Sequence, residues 1–189
     1  MKSKSQLRKE FKKLRDTYTG EAAAIASEKI CGAVLNSPDF KSAGCIFSYA
    51  PLGSEVDIRK VTAAAWTAGK TVAFPRVQGD TMQFYAVSDF NELRPGTFGV
   101  AEPAPTGSAR IRLSPETEAA ALILVPGLVF DRNKNRMGYG KGYYDRYFAG
   151  HTDCTLFGIA YSFQITDLLP AEAHDRQMDA VVTEHGIFL

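Results

Sequence analysis

Residues 138–146 read Gly-Tyr-Gly-Lys-Gly-Tyr-Tyr-Asp-Arg, a segment in which glycines alternate with groups able to do chemistry. Glycine tolerates positive φ and lets main-chain N–H groups come close to a ligand, and amides at the mouth of a helix favour an anion. Lys141 adds a full positive charge. Asp145 stands where it could hold Mg²⁺, which binds one or two carboxylates together with phosphate oxygens. The combination points to a phosphate site of an unfamiliar kind. A P-loop requires Gly-x-x-x-x-Gly-Lys followed by Ser or Thr, and a dinucleotide fingerprint requires glycine where Tyr143 stands. The run from Lys141 to Phe148 begins like an RNA-recognition strand, but Tyr144, Asp145 and Arg146 occupy places that motif gives to a small residue and to apolar ones. The plain structural reading is a glycine turn leading into a helix whose tyrosines serve the core.

The elements around this segment favour the chemical reading. Residues 119–125 are an apolar run of strand length, followed by a loop over 126–131 and a polar stretch over 132–136. In an open α/β sheet, ligands sit beyond the carboxyl ends of the strands, where this order places Lys141. At the N-terminus, Leu7, Phe11, Leu14 and Tyr18 recur at helical spacing, which predicts an amphipathic helix over 5–18. Its basic residues Lys2, Lys4, Arg8, Lys9, Lys12, Lys13 and Arg15 read as a solvated face. Lys4 and Arg8, four apart, share a side of the helix and could touch one phosphate chain.

A second helix is expected over 21–35, a buried strand over 45–49, and a strand-to-helix turn over 51–57. Ser54 or Asp57 could cap the helix that runs through Ile58, Val61 and Ala65 to Gly69, and Glu55 could favour its positive end. Another buried strand over 71–74 should stop at Pro75-Arg76, and the Gly79-Asp80 turn before 82–87 suggests a β-hairpin with Phe84 and Tyr85 on opposite faces. Residues 90–105 read as a glycine- and proline-rich connection, and 107–116 as a polar loop. A helix begins at 143–148, a buried strand covers 155–161, and further strands are expected near 178–183 and 186–189.

With 189 residues, 45% hydrophobic and 23% charged, the chain suits one domain with a well-buried core. Lys plus Arg is 22 against 21 acidic residues, so no overall field draws it to nucleic acid or a membrane. Cys31, Cys45 and Cys154 are widely spaced and suggest neither a disulfide framework nor a zinc site, but buried thiols in a reducing compartment. No segment has the features of a signal peptide or a membrane span, so a cytoplasmic protein is expected.

Val-Pro-Gly-Leu-Val-Phe-Asp at 125–131, followed by Asn-Arg-Met-Gly-Tyr-Gly-Lys-Gly-Tyr-Tyr-Asp-Arg at 135–146, resembles the signature of the 5-formyltetrahydrofolate cyclo-ligase family, also called methenyltetrahydrofolate synthetases. Weaker likenesses are the Lys4-x-x-x-Arg8 spacing, Glu55, Gly96-x-x-Gly-x-x-Glu-Pro, and Leu-Pro, His-Asp and Asp-x-Val-Val-Thr-Glu between 169 and 184. The stretch 131–135 lacks the glycine many relatives carry, and Met137 replaces the more usual Leu or Ile.

The alternation of strands and helices predicts a three-layer α-β-α sandwich with a mainly parallel sheet and a small antiparallel hairpin, and the resemblance implies that it is of the NagB/RpiA/CoA transferase-like kind. The resemblance also implies ATP-dependent cyclisation of 5-formyltetrahydrofolate to 5,10-methenyltetrahydrofolate: ATP phosphorylates the formyl oxygen, N10 adds to the activated carbon, and phosphate departs. The substrate supplies both nucleophiles, so the protein has to align them and offset phosphoryl charge. On this reading ATP is bound by Lys4, Arg8, Gly138, Tyr139, Gly140, Lys141, Gly142, Tyr143, Tyr144, Asp145 and Arg146. Lys141, Arg136 and Tyr144 serve catalysis. The folate is bound by Glu55 with Lys141, Gly142, Tyr143, Tyr144 and Asp145, and Mg²⁺ by Asp145 and Asp179. A monomer is expected, with no nucleic-acid or membrane partner. Two other readings fit the same residues: a sugar-phosphate isomerase or CoA transferase on this fold, which would need no ATP, and an RNA-binding module using the basic helix and the tyrosines.

Overall fold

The computed structural model describes residues 2–104, 117, 120–151, 153–170 and 176–188. Three helices lead into the sheet: α1 (Lys4–Thr17), α2 (Gly20–Asn36) and α3 (Pro38–Ser42). β1 (Cys45–Phe47) is followed by α4 (Arg59–Thr67), β2 (Thr71–Gln78) and β3 (Thr81–Ala86). A two-stranded ribbon, β4 (Leu93–Pro95) and β5 (Ala101–Pro103), precedes β6 (Ala121–Pro126). Then come β7 (Val129–Asp131), β8 (Arg136–Met137), α5 (Tyr143–Phe148), β9 (Thr155–Ile159), β10 (Ile165–Thr166), β11 (Ala180–Thr183) and β12 (Gly186–Phe188).

Seven strands form the main sheet in the order β12-β11-β9-β6-β1-β2-β3. The five inner strands are parallel, and β12 and β3 close the edges antiparallel. This is the expected α/β sandwich. β6 shows why its sequence is apolar throughout: Leu122 and Leu124 pack with α2 and α4 on one face, while Ala121, Ile123 and Val125 pack with Tyr147 and Phe148 of α5 on the other. A central parallel strand is buried on both faces and so has no polar alternation.

Three local expectations are corrected. β2 does not stop at Pro75 but runs to Gln78. β1 pairs with β2 only as far as Ala73, and the Val87 amide donates to the Val72 carbonyl, which fixes the alternation of the β2–β3 ladder. The nitrogen of Pro75 therefore faces away from β3, beyond the end of β1, where no ladder bond is lost. The connection over 90–105 contains the β4–β5 ribbon, whose β5 lies against β2. Helix α4 begins at Arg59 with Ile58 at its N-cap and no side-chain cap; Asp57 instead accepts from the Arg59 amide at 3.0 Å, and Ser54 bonds Asp16. The polar loop expected over 107–116 and the His174-Asp175 pair lie outside the described residues.

Helix α1 also departs from its expected face. Leu14 is 46% exposed, whereas Arg15 is 2% exposed. The buried line is Leu7, Phe11 and Arg15, each four residues apart; Phe11 packs with Val129, Met137 and Leu169, and Leu7 packs against that cluster. The helix is thereby laid across the segment that leads into the glycine loop.

Candidate active site

A cavity of about 410 Å³ opens beyond the carboxyl ends of β1, β2 and β6, a size suited to a small-molecule ligand. It is lined by Tyr49, Leu52 and Glu55 after β1, by Pro126 at the end of β6, and by Pro75, Val77 and Met82 of the β2–β3 hairpin. The lining is completed by the loop 138–142 with Lys4 and Arg8 of α1.

A buried carboxylate builds the approach to that loop. Asp131 Oδ1 accepts from the amides of Asn133 and Asn135, and Oδ2 accepts from Asn135 Nδ2 and the Leu169 amide, all at 2.9 Å. With four donors its charge is satisfied where water is absent. The turn it organises puts Lys134 at φ +65°, the left-handed conformation that glycine adopts most readily.

Next the chain passes Gly140 at φ +91° and Gly142 at φ +67°. A Cβ on Gly140 would come within 3.1 Å of Arg8 Cζ, so a side chain there would push the guanidinium back by a few tenths of an ångström, and the positive φ favours glycine in any case. Arg8 Nε donates to the Gly138 carbonyl at 3.0 Å. Gly142 forms the N-cap of α5, which has 6 residues. So short a helix has a small dipole, and attraction for an anion rests on the loop amides and the cations around them.

The expected site residues divide into those brought together and those placed elsewhere. Lys4, Arg8, Glu55, Arg136, Gly138, Tyr139, Gly140, Lys141, Gly142, Tyr143, Tyr144 and Asp145 all line the cavity. Arg136 is already engaged there. Its Nη2 donates to Asp145 Oδ1 at 2.9 Å, its guanidinium lies over the Tyr144 ring at 5.2 Å, and its Nε is buried without an acceptor among the described residues. Part of its charge is offset by Asp145, so Arg8 and Lys141 carry more of the attraction for an anion. Burial holds the Tyr144 phenol well above its ordinary pKa, so it serves as a neutral hydroxyl and ring.

Two residues lie apart. Arg146 Nε donates to the Asp80 carbonyl at 3.0 Å and its guanidinium covers the Tyr143 ring, so it ties α5 to the β2–β3 turn rather than lining the cavity. Asp179 is also not among the lining residues: at the start of β11, its Oδ2 accepts from the Leu156 amide at 2.7 Å. The structure thus does not bring Asp179 to Asp145. A strand-entry carboxylate bonded to the neighbouring strand explains its position.

Glu55 sits in a closed network. Its side chain is 7% exposed; Oε2 accepts from the Leu52 amide at 2.9 Å, Oε1 accepts from the Tyr139 hydroxyl at 3.4 Å, and Arg15 Nη1 lies 3.6 Å away. Burial pushes the carboxyl above its ordinary pKa, while Arg15, the Leu52 amide and Tyr139 pull it back. It does not sit at the mouth of α4, which starts four residues later at Arg59.

Sequence reasoning missed several lining residues. Tyr49, Val77, Met82, Phe98 and Glu102 come from separate strands and from the β4–β5 ribbon, and only tertiary pairing shows that they converge. Phe98 is 58% exposed at φ +59°, with Lys141 Nζ 5.5 Å from its ring centre. Arg15 did carry a signal: it continues the Leu7, Phe11 spacing onto the buried side.

The sequence profile of the 5-formyltetrahydrofolate cyclo-ligase family matches residues 1–184. The chain belongs to that family. It is 32% identical over 177 residues to a probable 5-formyltetrahydrofolate cyclo-ligase from Schizosaccharomyces pombe, covering 85% of each chain. An Arabidopsis thaliana relative, named as a mitochondrial 5-formyltetrahydrofolate cyclo-ligase, is 29% identical over 85% of this chain and 66% of its own. Among solved structures, the 5,10-methenyltetrahydrofolate synthetase of Aquifex aeolicus superposes with a TM-score of 0.81 at 33% identity, over 97% of this chain and 91% of that one. Among the described residues no helix is long and apolar enough to cross a membrane.

Proposed function

We propose that the chain, acting as one domain, catalyses the ATP-dependent conversion of 5-formyltetrahydrofolate to 5,10-methenyltetrahydrofolate, with release of ADP and phosphate. The observation that carries this reading is a single cavity in which a cationic glycine loop faces a buried carboxylate with aromatic neighbours. The loop side suits the triphosphate, with the 138–142 amides, Lys4, Arg8 and Lys141 offsetting its charge. The other side suits the folate. Glu55 can accept from pterin N–H groups, and Tyr143 and Tyr144 supply ring surface beside it.

The formyl oxygen of an amide-like group is a poor leaving group. Its attack on the γ-phosphorus forms an O–P bond as the bond to ADP breaks; N10 then adds to the formyl carbon, loses its proton, and the C–O bond breaks to release phosphate. The chain's contribution is to hold oxygen and phosphorus in line and to offset charge with Lys141. Arg136, paired with Asp145 and stacked on Tyr144, keeps both in place.

Asp145 would hold Mg²⁺ together with nucleotide phosphate oxygens, where the ion's chemistry is to offset phosphate charge. Its side chain is 33% exposed with one oxygen on Arg136, and no group of three His, Cys, Asp or Glu that could hold a metal ion exists among the described residues. That fits an ion that keeps waters and phosphate ligands, not one caged by protein.

We also infer a cytoplasmic monomer, to be checked by cell fractionation and gel filtration. Purified protein mixed with 5-formyltetrahydrofolate, Mg²⁺ and ATP is expected to develop the near-ultraviolet absorbance of the conjugated methenyl product, and to develop none when ATP is left out. Absence of product from folded protein would refute the reading.

A further inference from the structure

Arg15 was expected on the solvated face of α1, yet it is one of the most deeply buried charged side chains among the described residues. Its contacts are specific. Nη1 donates to the Gly127 carbonyl at 3.2 Å, Nε to Ser54 Oγ at 3.3 Å and Nη2 to the Tyr139 hydroxyl, and Nη1 also faces Glu55 Oε1 at 3.6 Å. The partners come from three segments, each of which also supplies lining residues of the cavity: Gly127 follows β6, Ser54 and Glu55 follow β1, and Tyr139 belongs to the glycine loop. One fork of donors thus joins three segments.

Resting on the proposed function, in which Glu55 faces the folate, we propose that Arg15 is the positioning residue of the folate subsite: it holds the Glu55 carboxylate charged and oriented, directly and through the Tyr139 hydroxyl. A carboxylate this deeply buried either keeps a cation beside it or takes up a proton. A protonated Glu55 would lose acceptor capacity towards pterin N–H donors. The groups facing Glu55 are Arg15 from α1, the Leu52 amide from its own turn and Tyr139 from the glycine loop; Tyr49 after β1 and Tyr144 of α5 feel its charge. Arg15 is the cation of this set that is bonded to nothing acidic except Glu55.

The same helix carries Lys4 and Arg8 to the loop, two to three turns before Arg15. Arg15 itself does not line the cavity, which separates a positioning role from direct nucleotide binding.

The test is steady-state kinetics of Arg15→Met, Arg15→Lys and Glu55→Gln between pH 6 and 8, varying each substrate in turn, with thermal melts to confirm folding. Arg15→Met is expected to raise the KM for 5-formyltetrahydrofolate on the order of tenfold or more, the cost of one charge-assisted contact, with the KM for ATP within about twofold of wild type. Its folate KM should also rise as pH falls, because Glu55 then takes up a proton within the assay range, whereas the Glu55→Gln profile should stay flat. Arg15→Lys keeps the charge without the fork, and should restore the flat profile while leaving the KM raised; it also serves if Arg15→Met does not fold. Equal changes in both KM values, or an Arg15→Met profile parallel to wild type, would overturn the proposal. An unchanged folate KM in Glu55→Gln would instead refute the placement of the folate, so the two failures are distinguishable.

Discussion

Lys141 stands on a loop of glycines that lines the cavity, with its ammonium over the Phe98 ring and no carboxylate bonded to it among the described residues. Replacing it with alanine is expected to lower turnover by roughly two orders of magnitude, the usual loss for one preorganised electrostatic group. Near-normal turnover would remove it from the mechanism. The two aspartates separate cleanly by position. Asp145→Asn should increase the Mg²⁺ concentration needed for half-maximal rate, whereas Asp179→Asn should lower the melting temperature through its Leu156 bond and leave the Mg²⁺ dependence unchanged. The opposite pattern in a magnesium titration would return Asp179 to the site. At this scale the sequence was legible wherever chemistry is local: the spacing of Lys4 and Arg8 and the run from Gly138 to Asp145 lead to residues that share one cavity. It was not legible for Arg146 and Asp179, because a side chain's direction depends on a partner element far away in the chain.

Helix α1 shows what periodicity can and cannot reveal. A stripe of Leu7, Phe11, Leu14 and Tyr18 predicts the helix correctly, but the buried line tilts to Arg15, whose charge disguises its place in the pattern. The helix is docked by Phe11 among Val129, Met137 and Leu169. Phe11→Ala should cost about 3 kcal/mol in chemical denaturation and raise the KM for ATP, since Lys4 and Arg8 ride on the same helix. Loss of stability with an unchanged ATP KM would show that α1 does not position the two cations. The β4–β5 ribbon and the extension of β2 through Pro75 were hidden for another reason. Proline and glycine signal a break in the sequence, but an edge position tolerates them, and only the end of β1 makes that position an edge.

Across the whole molecule, alternating helices and strands foretold the layers, and the continuous apolar run of β6 foretold a strand. Strand order and the convergence of lining residues came only with tertiary pairing. The buried core also fixes the behaviour of the thiols. Burial pushes Cys31 up to about 11 and Cys45 up to about 12, from an ordinary value of 9.0. Folded-state values above the unfolded ones stabilise the protein below pH 9, and that contribution is lost as pH rises towards the folded values. Stability should therefore fall between pH 9 and 11, by on the order of 1 kcal/mol per thiol per pH unit. Urea unfolding across that range checks it, and a flat or rising stability would contradict the burial. At neutral pH the same thiols should react with alkylating reagents only after unfolding.

Because the proposed reaction joins the formyl oxygen to phosphorus before N10 closes the ring, that oxygen must leave with the phosphate. Turnover of 5-formyltetrahydrofolate labelled with ¹⁸O in the formyl group, followed by mass spectrometry of the inorganic phosphate, tests this directly. The account predicts one labelled oxygen in each phosphate released; unlabelled phosphate, with the label in water, would contradict it.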